Sequence, residues 1–469
     1  MILNKLDNKN LNDFPVVIFG SGPAGITTAL ELEKKNIKSI IIEAGKENYD
    51  ENSQKYYNGE TSGDPITDLS ISRLRQFGGT SGHWGGWSKP MADYNFKKWP
   101  FNSKDLNSYQ KDTCKILDIK NQFRNLKLNE YLDQIEFQYS NVKFADKFGE
   151  HIKKSKNILL ILNTQLLHFV GDNKKIDYAE CISNNSKIKI SGKFFILACG
   201  GIENSRLLLW SKHKNPNMFD ENLPIGKYWM HHPWIIGGAG LVNKDQIKKK
   251  FTNNFLEYEG PIHFAVNKKF VEDKKSLSAG IYMTPNENTK FYKEIVKDIL
   301  CIAPKYGKEI AGKIFSKSLK CGNIFMHLEE EPNINNKITL GEKKDAFGIP
   351  TVKLIYKKSK KSLETARHAL EELANLCRNE NFGRIAIDKK IFNLEEFKSM
   401  GAWHHMGGTR SGTNTKDSVV DSDLKIHGLD NIYVNGSSNF PTGGFTNPTF
   451  TIIQLAMRLS EKIKERLYS

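Results

Sequence analysis

The spacing of apolar residues predicts a strand, a helix and a second strand near the start of the chain. PVVIFG, residues 15–20, is a short β-branched apolar run of the kind that forms a buried parallel strand. In the following SGPAGITTALELEKKN, Ile26, Ala29 and Leu30 recur at helical spacing. A second apolar run, IKSIIIEAG, reaches the acidic residue Glu43. This order predicts a βαβ unit, and therefore an α/β fold with a doubly wound sheet.

Further along, the pattern predicts strands, hairpins and two more helices. Residues 91–150 look like a mixed, mostly helical insertion, and residues 157–201 have the pattern of strands and hairpins. Residues 236–399 combine strand-like runs with one helix around residues 362–380. The amphipathic run PTFTIIQLAMRLSEKIKERL, residues 448–467, predicts a closing helix with one buried face.

Composition is that of a globular protein with two or three domains, since the chain has 469 residues and 39% hydrophobic content. Residues 1–13 lack a basic region followed by an apolar one, so no signal peptide is predicted. The most apolar stretch, FFILACGGIENSRLLLW, is interrupted by Glu203, Asn204 and Arg206, so no spanning helix is predicted either. The six cysteines form no C-x-x-C pair, which favours a reducing, cytoplasmic location over a disulfide framework or zinc site.

The net charge of +16 does not by itself indicate a nucleic-acid partner. The excess of lysine and arginine is spread in short runs such as Lys248–Lys250, and no module combining aromatic and basic residues stands out. We therefore expect no nucleic-acid binding, while a weak attraction to anionic lipid or to an acidic substrate stays open.

A dinucleotide-binding fingerprint lies between the first strand and its helix. Gly20, Gly22 and Gly25 form G-x-G-x-x-G, which provides a tight turn, close approach to a pyrophosphate and packing of helix on strand. The helix N-terminus offers free N–H groups to phosphate. Glu43 stands where an acid accepts hydrogen bonds from a ribose hydroxyl. The position near the N-terminus suits FAD better than NAD, but the spacing alone does not decide between them.

Several motifs together resemble the glucose–methanol–choline (GMC) family of FAD-dependent oxidoreductases. They are the fingerprint, FGGTSGHWGG, ILACGGIENSRLLL, IGKYWMHHP and nearly all of residues 400–469. The resemblance implies a Rossmann-like FAD-binding domain built from discontinuous segments and an α+β substrate domain with an antiparallel sheet. We assign residues 1–90, 151–235 and 400–469 to the first domain, and residues 91–150 and 236–399 to the second.

The glycine-rich loop departs from most of the family and looks more like that of pyranose 2-oxidases. It is one residue shorter than usual and places Gly82 before His83 and Trp84. In pyranose 2-oxidases the matching histidine carries FAD covalently. The resemblance thus implies either a covalent bond to His83 or a non-covalent histidine over the ring system. In both cases we expect Gly79, Thr80 and Ser81 to line the flavin.

The resemblance places the catalytic base at His404 in AWHHMGGTRSG. The family's H-x-x-G turn ending in R-x-G aligns without gaps on His404, Gly407, Arg410 and Gly412. Successive side chains of an extended segment point to opposite sides, so His405 would face away and either pack or hydrogen-bond to backbone. A register shifted by one residue would make His405 the base but would lose the match to Arg410 and Gly412. The family pairs the base with a second histidine or asparagine, which here is Asn447 in GFTNPTFT. Its amide would donate to the substrate oxygen.

The remaining cofactor contacts also follow from the resemblance. They are expected at Gly200, Asn435, Gly436, Pro448 and Thr449. The backbone around residues 166–168 would hold the adenine, and Cys199 is expected to be a small buried residue rather than a redox thiol.

The implied reaction is oxidation of a secondary alcohol to a carbonyl, with the hydride passing to flavin N5 and the proton to His404. A sugar or glycoside is the expected substrate, on the loop resemblance; a non-sugar alcohol such as a sterol is the alternative. A flavin-containing lyase without net redox change and a non-catalytic flavoprotein remain open, as do the electron acceptor (dioxygen, a quinone or a redox protein) and oligomer formation. Adjacent histidine pairs do not favour a metal site, and a hydrolase would need the missing G-x-S-x-G.

Overall fold

The computed structural model describes residues 1–6, 11–243, 262–285, 319–381, 383–395, 399, 401 and 403–469. Its strands are β1 (Ile2–Leu3), β2 (Val16–Phe19), β3 (Ser39–Ile42), β4 (Gly59–Gly63), β5 (Trp87–Ser88), β6 (Asn125–Lys127), β7 (Leu132–Ile135), β8 (Gln138–Tyr139), β9 (Ile158–Ile161), β10 (Thr164–Gly171), β11 (Ile176–Ser183), β12 (Ser186–Ile190), β13 (Phe194–Leu197), β14 (Trp234–Asn243), β15 (Ile262–Val266), β16 (Ala279–Pro285), β17 (Leu319–Leu328), β18 (Lys337–Lys344), β19 (Pro350–Tyr356), β20 (Gly383–Ile387) and β21 (Ile432–Val434). Its α-helices are Pro23–Glu33, Glu51–Gln54, Lys104–Asn107, Gln110–Ile116, Phe144–Lys154, Gly200–Lys214, Lys268–Asp273, Lys360–Asn379, Lys389–Phe392 and Thr449–Tyr468. Short 3₁₀ turns occur at Lys55–Tyr57, Gly79–Gly82, Asp93–Lys98, Pro216–Met218 and Ser437–Asn439.

A six-stranded parallel sheet forms around the βαβ unit predicted from the sequence. Its strand order is β1-β9-β3-β2-β13-β21, and every neighbouring pair is parallel. Strands β2, β3 and β9 are buried along their whole length, as expected of a sheet covered on both faces. The last helix, Thr449–Tyr468, packs on the first, Pro23–Glu33. This arrangement confirms the predicted doubly wound α/β fold.

A second, antiparallel sheet has seven strands in the order β20-β14-β17-β16-β15-β7-β6. The predicted helix near residues 362–380 is present as Lys360–Asn379, and its Leu363, Leu370 and Leu373 pack in one apolar cluster with Phe264 and Met326 of the sheet. The helix is amphipathic, and its buried stripe provides the apolar cover that one face of an antiparallel sheet requires.

The expectation of a mostly helical insertion at residues 91–150 is only partly right. Helices Gln110–Ile116 and Phe144–Lys154 are present, but β6 and β7 add to the antiparallel sheet along β15. A strand of three or four residues is too short to show a clear alternation of apolar and polar positions. Such a strand is stabilised mainly by pairing with the edge of a neighbouring strand, which the local sequence does not reveal.

Three smaller sheets complete the described strands. β10, β11 and β12 form an antiparallel sheet, β5 pairs with β8, and β4 joins β19 of the β18–β19 hairpin in parallel. The last of these joins residues 59–63 of the first predicted domain to residues 350–356 of the second.

The cysteine side chains that the structure describes are free thiols. They are Cys114, Cys181, Cys199 and Cys377. Cys301 and the lysine run Lys248–Lys250 lie outside the described residues. Within the described part of the chain, no helix combines the length and the apolar character that crossing a membrane requires.

Candidate active site

A cavity of about 540 Å³ opens at the carboxyl ends of the central parallel strands. The residues at these strand ends line the cavity: Phe19 and Gly20 at the end of β2, Glu43 after β3, and Ala198 and Cys199 after β13. This is the edge where open α/β sheets bind ligands, and the volume lies in the range of small-molecule sites.

The three fingerprint glycines occupy different positions relative to this cavity. Gly20 has φ +100°, and a Cβ there would lie 2.5 Å from the carbonyl oxygen of Ala198. Gly22 faces open space, since a Cβ there would have no neighbouring atom within 4 Å, whereas a Cβ on Gly25 would lie 2.0 Å from the carbonyl oxygen of Gly20. Gly22 therefore leaves room for a ligand, while Gly20 and Gly25 allow the turn and the close packing of helix on strand.

Other glycines present bare backbone to the same cavity. Gly200 and Gly436 both line it, and neither would bring a Cβ within 4 Å of another atom. The helices that start at Pro23 and Gly200 carry no side-chain cap, so their first N–H groups are available to an anion. An elongated, negatively charged cofactor such as FAD fits these surroundings.

Glu43 is held with its carboxylate at the cavity wall. Its Oε2 accepts hydrogen bonds from the backbone N of Ser21 (2.9 Å) and the Ser21 hydroxyl (2.6 Å), and its Oε1 accepts one from Gly45 N (2.7 Å). A carboxylate accepts about four hydrogen bonds, so capacity remains for a ribose hydroxyl.

A buried ion network lies beside the cofactor end of the cavity. Glu203 Oε1 accepts a hydrogen bond from Arg73 (2.8 Å), and its Oε2 accepts one from Arg206 (3.0 Å). Arg206 also donates to Asp345 at 2.6 Å. Burial raises the pKa of Glu203, but the charges and hydrogen bonds of Arg206 and Arg73 lower it by more, so the pKa of Glu203 lies below its usual value. Glu203 is therefore held as a carboxylate.

The other end of the cavity carries His404 and Asn447. Asn447 Nδ2 lies 3.2 Å from His404 Nε2, and the two residues are 43 positions apart in the chain. On its other side, His404 Nδ1 lies 3.0 Å from Nδ1 of His232. Asn447 Oδ1 has no hydrogen-bond partner. The amide therefore contacts the imidazole and still has polar groups free for a bound molecule.

The imidazoles near His404 are neutral at pH 7. Burial lowers the pKa of His404 well below its usual value, and His232, His327, His405 and His231 lower it further. Burial also lowers the pKa of His232 to about 4 and that of His327 to about 3. In the described part of the chain, no three histidine, cysteine or acidic side chains converge as metal ligands.

His405 has different partners from His404. Its Nε2 lies 2.8 Å from the Ser72 hydroxyl, and its ring lies 5.8 Å from that of Trp229. The sequence predicts a packing role for this side chain. The ring does pack, and its hydrogen bond goes to a side-chain hydroxyl.

An aromatic wall, formed by Trp87, Trp234, Tyr282 and His327, stands beside His404. All four residues line the cavity, and the His327 and His404 ring centres are 6.2 Å apart. Trp234 Nε1 donates to the Tyr282 hydroxyl at 2.6 Å. Burial raises the pKa of Tyr282 to about 12. The wall is therefore uncharged at neutral pH.

Most of the predicted site residues line this one cavity. Besides those described above, they are Gly79, Thr80, Ser81, His83, Pro448 and Thr449. Gly25 and Asn435 do not line the cavity. Asn435 is fully buried, and its Nδ2 donates to the Thr28 hydroxyl at 3.0 Å.

His232, Arg73 and the aromatic wall are cavity residues for which the sequence predicts no functional role. His232 belongs to IGKYWMHHP, one of the motifs that carried the family resemblance, so a signal for it was present. Trp87 and Trp234 directly follow the motifs FGGTSGHWGG and IGKYWMHHP, whereas Arg73, Tyr282 and His327 come from segments without a recognisable motif.

Comparisons with known proteins agree with this picture. Residues 332–456 match the family model described as GMC oxidoreductase. The chain is 27% identical to 2-methyl-1,2-propanediol dehydrogenase of Mycolicibacterium austroafricanum over 59% of this chain and 49% of that protein. It is 37% identical to pyranose 2-oxidase of Tricholoma matsutake over 25% of this chain and 20% of that protein. The chain thus spans about half the length of the first of these relatives.

The fold as a whole is similar to that of a solved oxidase. Pyridoxine 4-oxidase from Mesorbium loti matches with a TM-score of 0.63 at 12% identity, over 96% of this chain and 99% of that one. At this identity the likeness concerns the fold alone.

Proposed function

We infer that this chain, which carries the GMC oxidoreductase domain that its motifs predicted, is an FAD-dependent enzyme that oxidises a secondary alcohol to a carbonyl compound. The observation that carries the proposal is the His404–Asn447 pair, with 3.2 Å between ring and amide nitrogens, in the same cavity as the glycine-lined dinucleotide site. A base and a hydrogen-bond donor beside one bound substrate are what removal of a hydroxyl proton requires.

FAD is the cofactor that these surroundings favour. Bound there, it would supply the hydride acceptor of the reaction. The pyrophosphate would lie at Gly22 and the N-terminus of helix Pro23–Glu33, with a ribose hydroxyl at Glu43. The residues proposed to contact the remainder of FAD are Gly20, Gly79, Thr80, Ser81, His83, Gly200, Gly436, Pro448 and Thr449. Gly25 and Asn435 do not line the cavity and would shape the site through packing and hydrogen bonds.

His404 would receive the proton of the substrate hydroxyl at Nε2. Its lowered pKa keeps the ring neutral at pH 7, and the substrate hydroxyl would take the place of the Asn447 N–H group that donates to the Nε2 lone pair. Asn447 Nδ2 carries two N–H groups: one faces His404, and the second would hydrogen-bond the substrate oxygen as negative charge develops on it.

A sugar or glycoside is the substrate class that we propose. The aromatic wall provides flat apolar faces beside His404, and Trp87 lies 5.0 Å from Tyr282 in an edge-on arrangement. Such faces suit a neutral ring whose hydroxyls meet a few polar groups. The pyranose 2-oxidase named among the relatives acts on a sugar by its name, which supports the same class.

The reaction is tested by mixing the purified flavoprotein anaerobically with a panel of sugars, glycosides, sterols and simple alcohols. We expect at least one sugar or glycoside to bleach the absorbance of oxidised flavin, since two electrons pass from the substrate in the absence of an acceptor. A spectrum that stays oxidised while the substrate is consumed would identify a lyase instead. Full biological activity of a His404→Ala variant would identify a non-catalytic flavoprotein.

We also propose a covalent bond between His83 and the flavin, which can be tested independently of the reaction. The ring of His83 lines the cavity beside Thr80 and Ser81, and partial burial together with Lys143 lowers the pKa of His83. Attachment would replace one C–H bond of the flavin methyl group by a C–N bond to a neutral ring nitrogen. The methyl group would lose a proton and the flavin would be left reduced by two electrons, which an acceptor such as dioxygen would then remove. On acid precipitation, yellow colour is expected to stay with the protein pellet. In a His83→Ala variant it should pass to the supernatant, and colour released by the unaltered protein would exclude the bond.

A further inference from the structure

His232 and His404 lie opposite each other on two paired segments. Met230 N donates to Met406 O at 2.8 Å, and Met406 N donates to Met230 O at 2.9 Å. In an antiparallel pair, the residues two positions on from such a bridge are again opposite, with side chains on the same face. His232 and His404 occupy those positions, and their ring centres are 5.1 Å apart. The contact between the rings is thus set by backbone pairing.

The hydrogen bonds of His232 determine where its proton is. Its Nε2 lies 3.3 Å from the carbonyl oxygen of Gly443, which can only accept, so Nε2 carries the hydrogen. Burial lowers the pKa of His232 to about 4, and a neutral imidazole carries one hydrogen. Nδ1 of His232 is therefore a bare acceptor.

The same reasoning then applies to His404. Its Nδ1 lies 3.0 Å from the bare Nδ1 of His232, so His404 Nδ1 must carry the hydrogen. The lone pair of the neutral ring is then on Nε2, which lies 3.2 Å from Asn447 Nδ2. Asn447 Nδ2 donates a hydrogen bond, which matches a lone pair on His404 Nε2. With this donor and with the bare Nδ1 of His232, the Nδ1–H tautomer is the one neutral form of His404 that satisfies both contacts.

We propose that His232 is a positioning residue that fixes His404 in the Nδ1–H tautomer and so aims the Nε2 lone pair into the substrate end of the cavity. The role in turnover rests on the proposed function, whereas the tautomer itself does not. His232 is 3% exposed, and its one lone pair, on Nδ1, accepts the hydrogen of His404, so His232 acts through His404 rather than on the substrate.

The groups that face His404 make this assignment testable by pH. The rings of His232 and His327 contact that of His404, and the titratable groups that influence its pKa, His231, His232, His327 and His405, are all imidazoles. His404 must be deprotonated to act as base, so kcat/KM falls when pH drops through its pKa. A carboxylate within hydrogen-bonding distance raises the pKa of such a ring by about 1 to 3 units.

Three substitutions at His232 separate positioning from general structural support. His232→Leu removes the acceptor, and kcat is expected to fall by on the order of 10²- to 10³-fold at unchanged flavin content. His232→Asn keeps an acceptor in the place of Nδ1 and should recover kcat to within about tenfold. His232→Asp keeps the acceptor and adds charge, so it should move the acid limb of kcat/KM to higher pH. His151→Leu, at an exposed histidine, is the control and should behave as the unaltered enzyme. Equal losses in all three variants without a shift of the acid limb would overturn the proposal.

Nitrogen-15 NMR of histidine rings in the FAD-loaded protein gives a readout besides activity. The signals of His404, identified by their loss in His404→Gln, should show a neutral ring protonated at Nδ1, and His232→Leu should abolish that preference. A ring protonated at Nε2 would overturn the inference even if an alcohol is oxidised. The Nδ1–H tautomer in a protein that oxidises no alcohol would support the inference and overturn the proposed function.

Discussion

Replacing His404 by glutamine is expected to lower kcat by about 10²- to 10⁴-fold while the flavin content stays unchanged. Glutamine fills similar space and can hydrogen-bond Asn447 and His232, but it has no lone pair that takes up a proton near neutral pH. Stopped-flow measurement of flavin reduction by the substrate found in the panel isolates this step. The unaltered enzyme should keep full kcat/KM at pH 7, with its acid limb below pH 6.5, because burial lowers the pKa of His404.

The neighbouring histidine provides the matched comparison. His405→Gln removes a ring that contacts Ser72 and Trp229, so we expect less than a tenfold change in the rate of flavin reduction. A large loss in His405→Gln together with a small loss in His404→Gln would assign the base to His405.

Replacing Glu203 by alanine is expected to destabilise the fold by about 3–5 kcal/mol. The side chains of Arg73 and Arg206 are 8% and 3% exposed, and both donate hydrogen bonds to Glu203. Without the carboxylate, Arg73 loses its ion-pair partner while its guanidinium remains buried, and Arg206 keeps Asp345 as its one ion-pair partner among the described residues. Urea unfolding of the FAD-loaded protein, followed by circular dichroism, measures the change.

A surface ion pair serves as the control for Glu203. Glu150 lies 3.6 Å from Lys153, and both side chains are mostly exposed. Glu150→Ala should change the free energy of unfolding by less than about 1 kcal/mol, since exposed pairs contribute little. If Glu203→Ala cost no more than this control, solvent would have to reach the two guanidinium groups.

The parts of the fold that local sequence determines could be predicted. Residues 15–43 carry periodic apolar runs and glycines at fixed spacing, so the strand, the helix and the turn between them follow from short-range geometry. His404 and Asn447 could be proposed because each lies in a motif of the family. That they come within 3.2 Å of each other is a property of the folded chain.

The contacts that escaped prediction join segments far apart in sequence. His232 is 172 positions from His404, and Arg73 is 130 positions from Glu203. Glu203 and Arg206 appeared in the sequence only as polar interruptions of an apolar stretch. Their burial with a charged partner could not be deduced without knowing that Arg73 reaches the same place, because isolated charges are almost never buried.

The strand order of the parallel sheet has a consequence for the nascent polypeptide. β13 pairs on one side with β2 and on the other with β21, which is translated about 235 residues later. At ribosomal elongation rates of about 5–20 residues per second, that interval is roughly 10 to 50 s. Throughout it, one edge of β13 lacks its native neighbour and is open to association with other chains. Expression at lower temperature or with added chaperones should therefore raise the soluble yield.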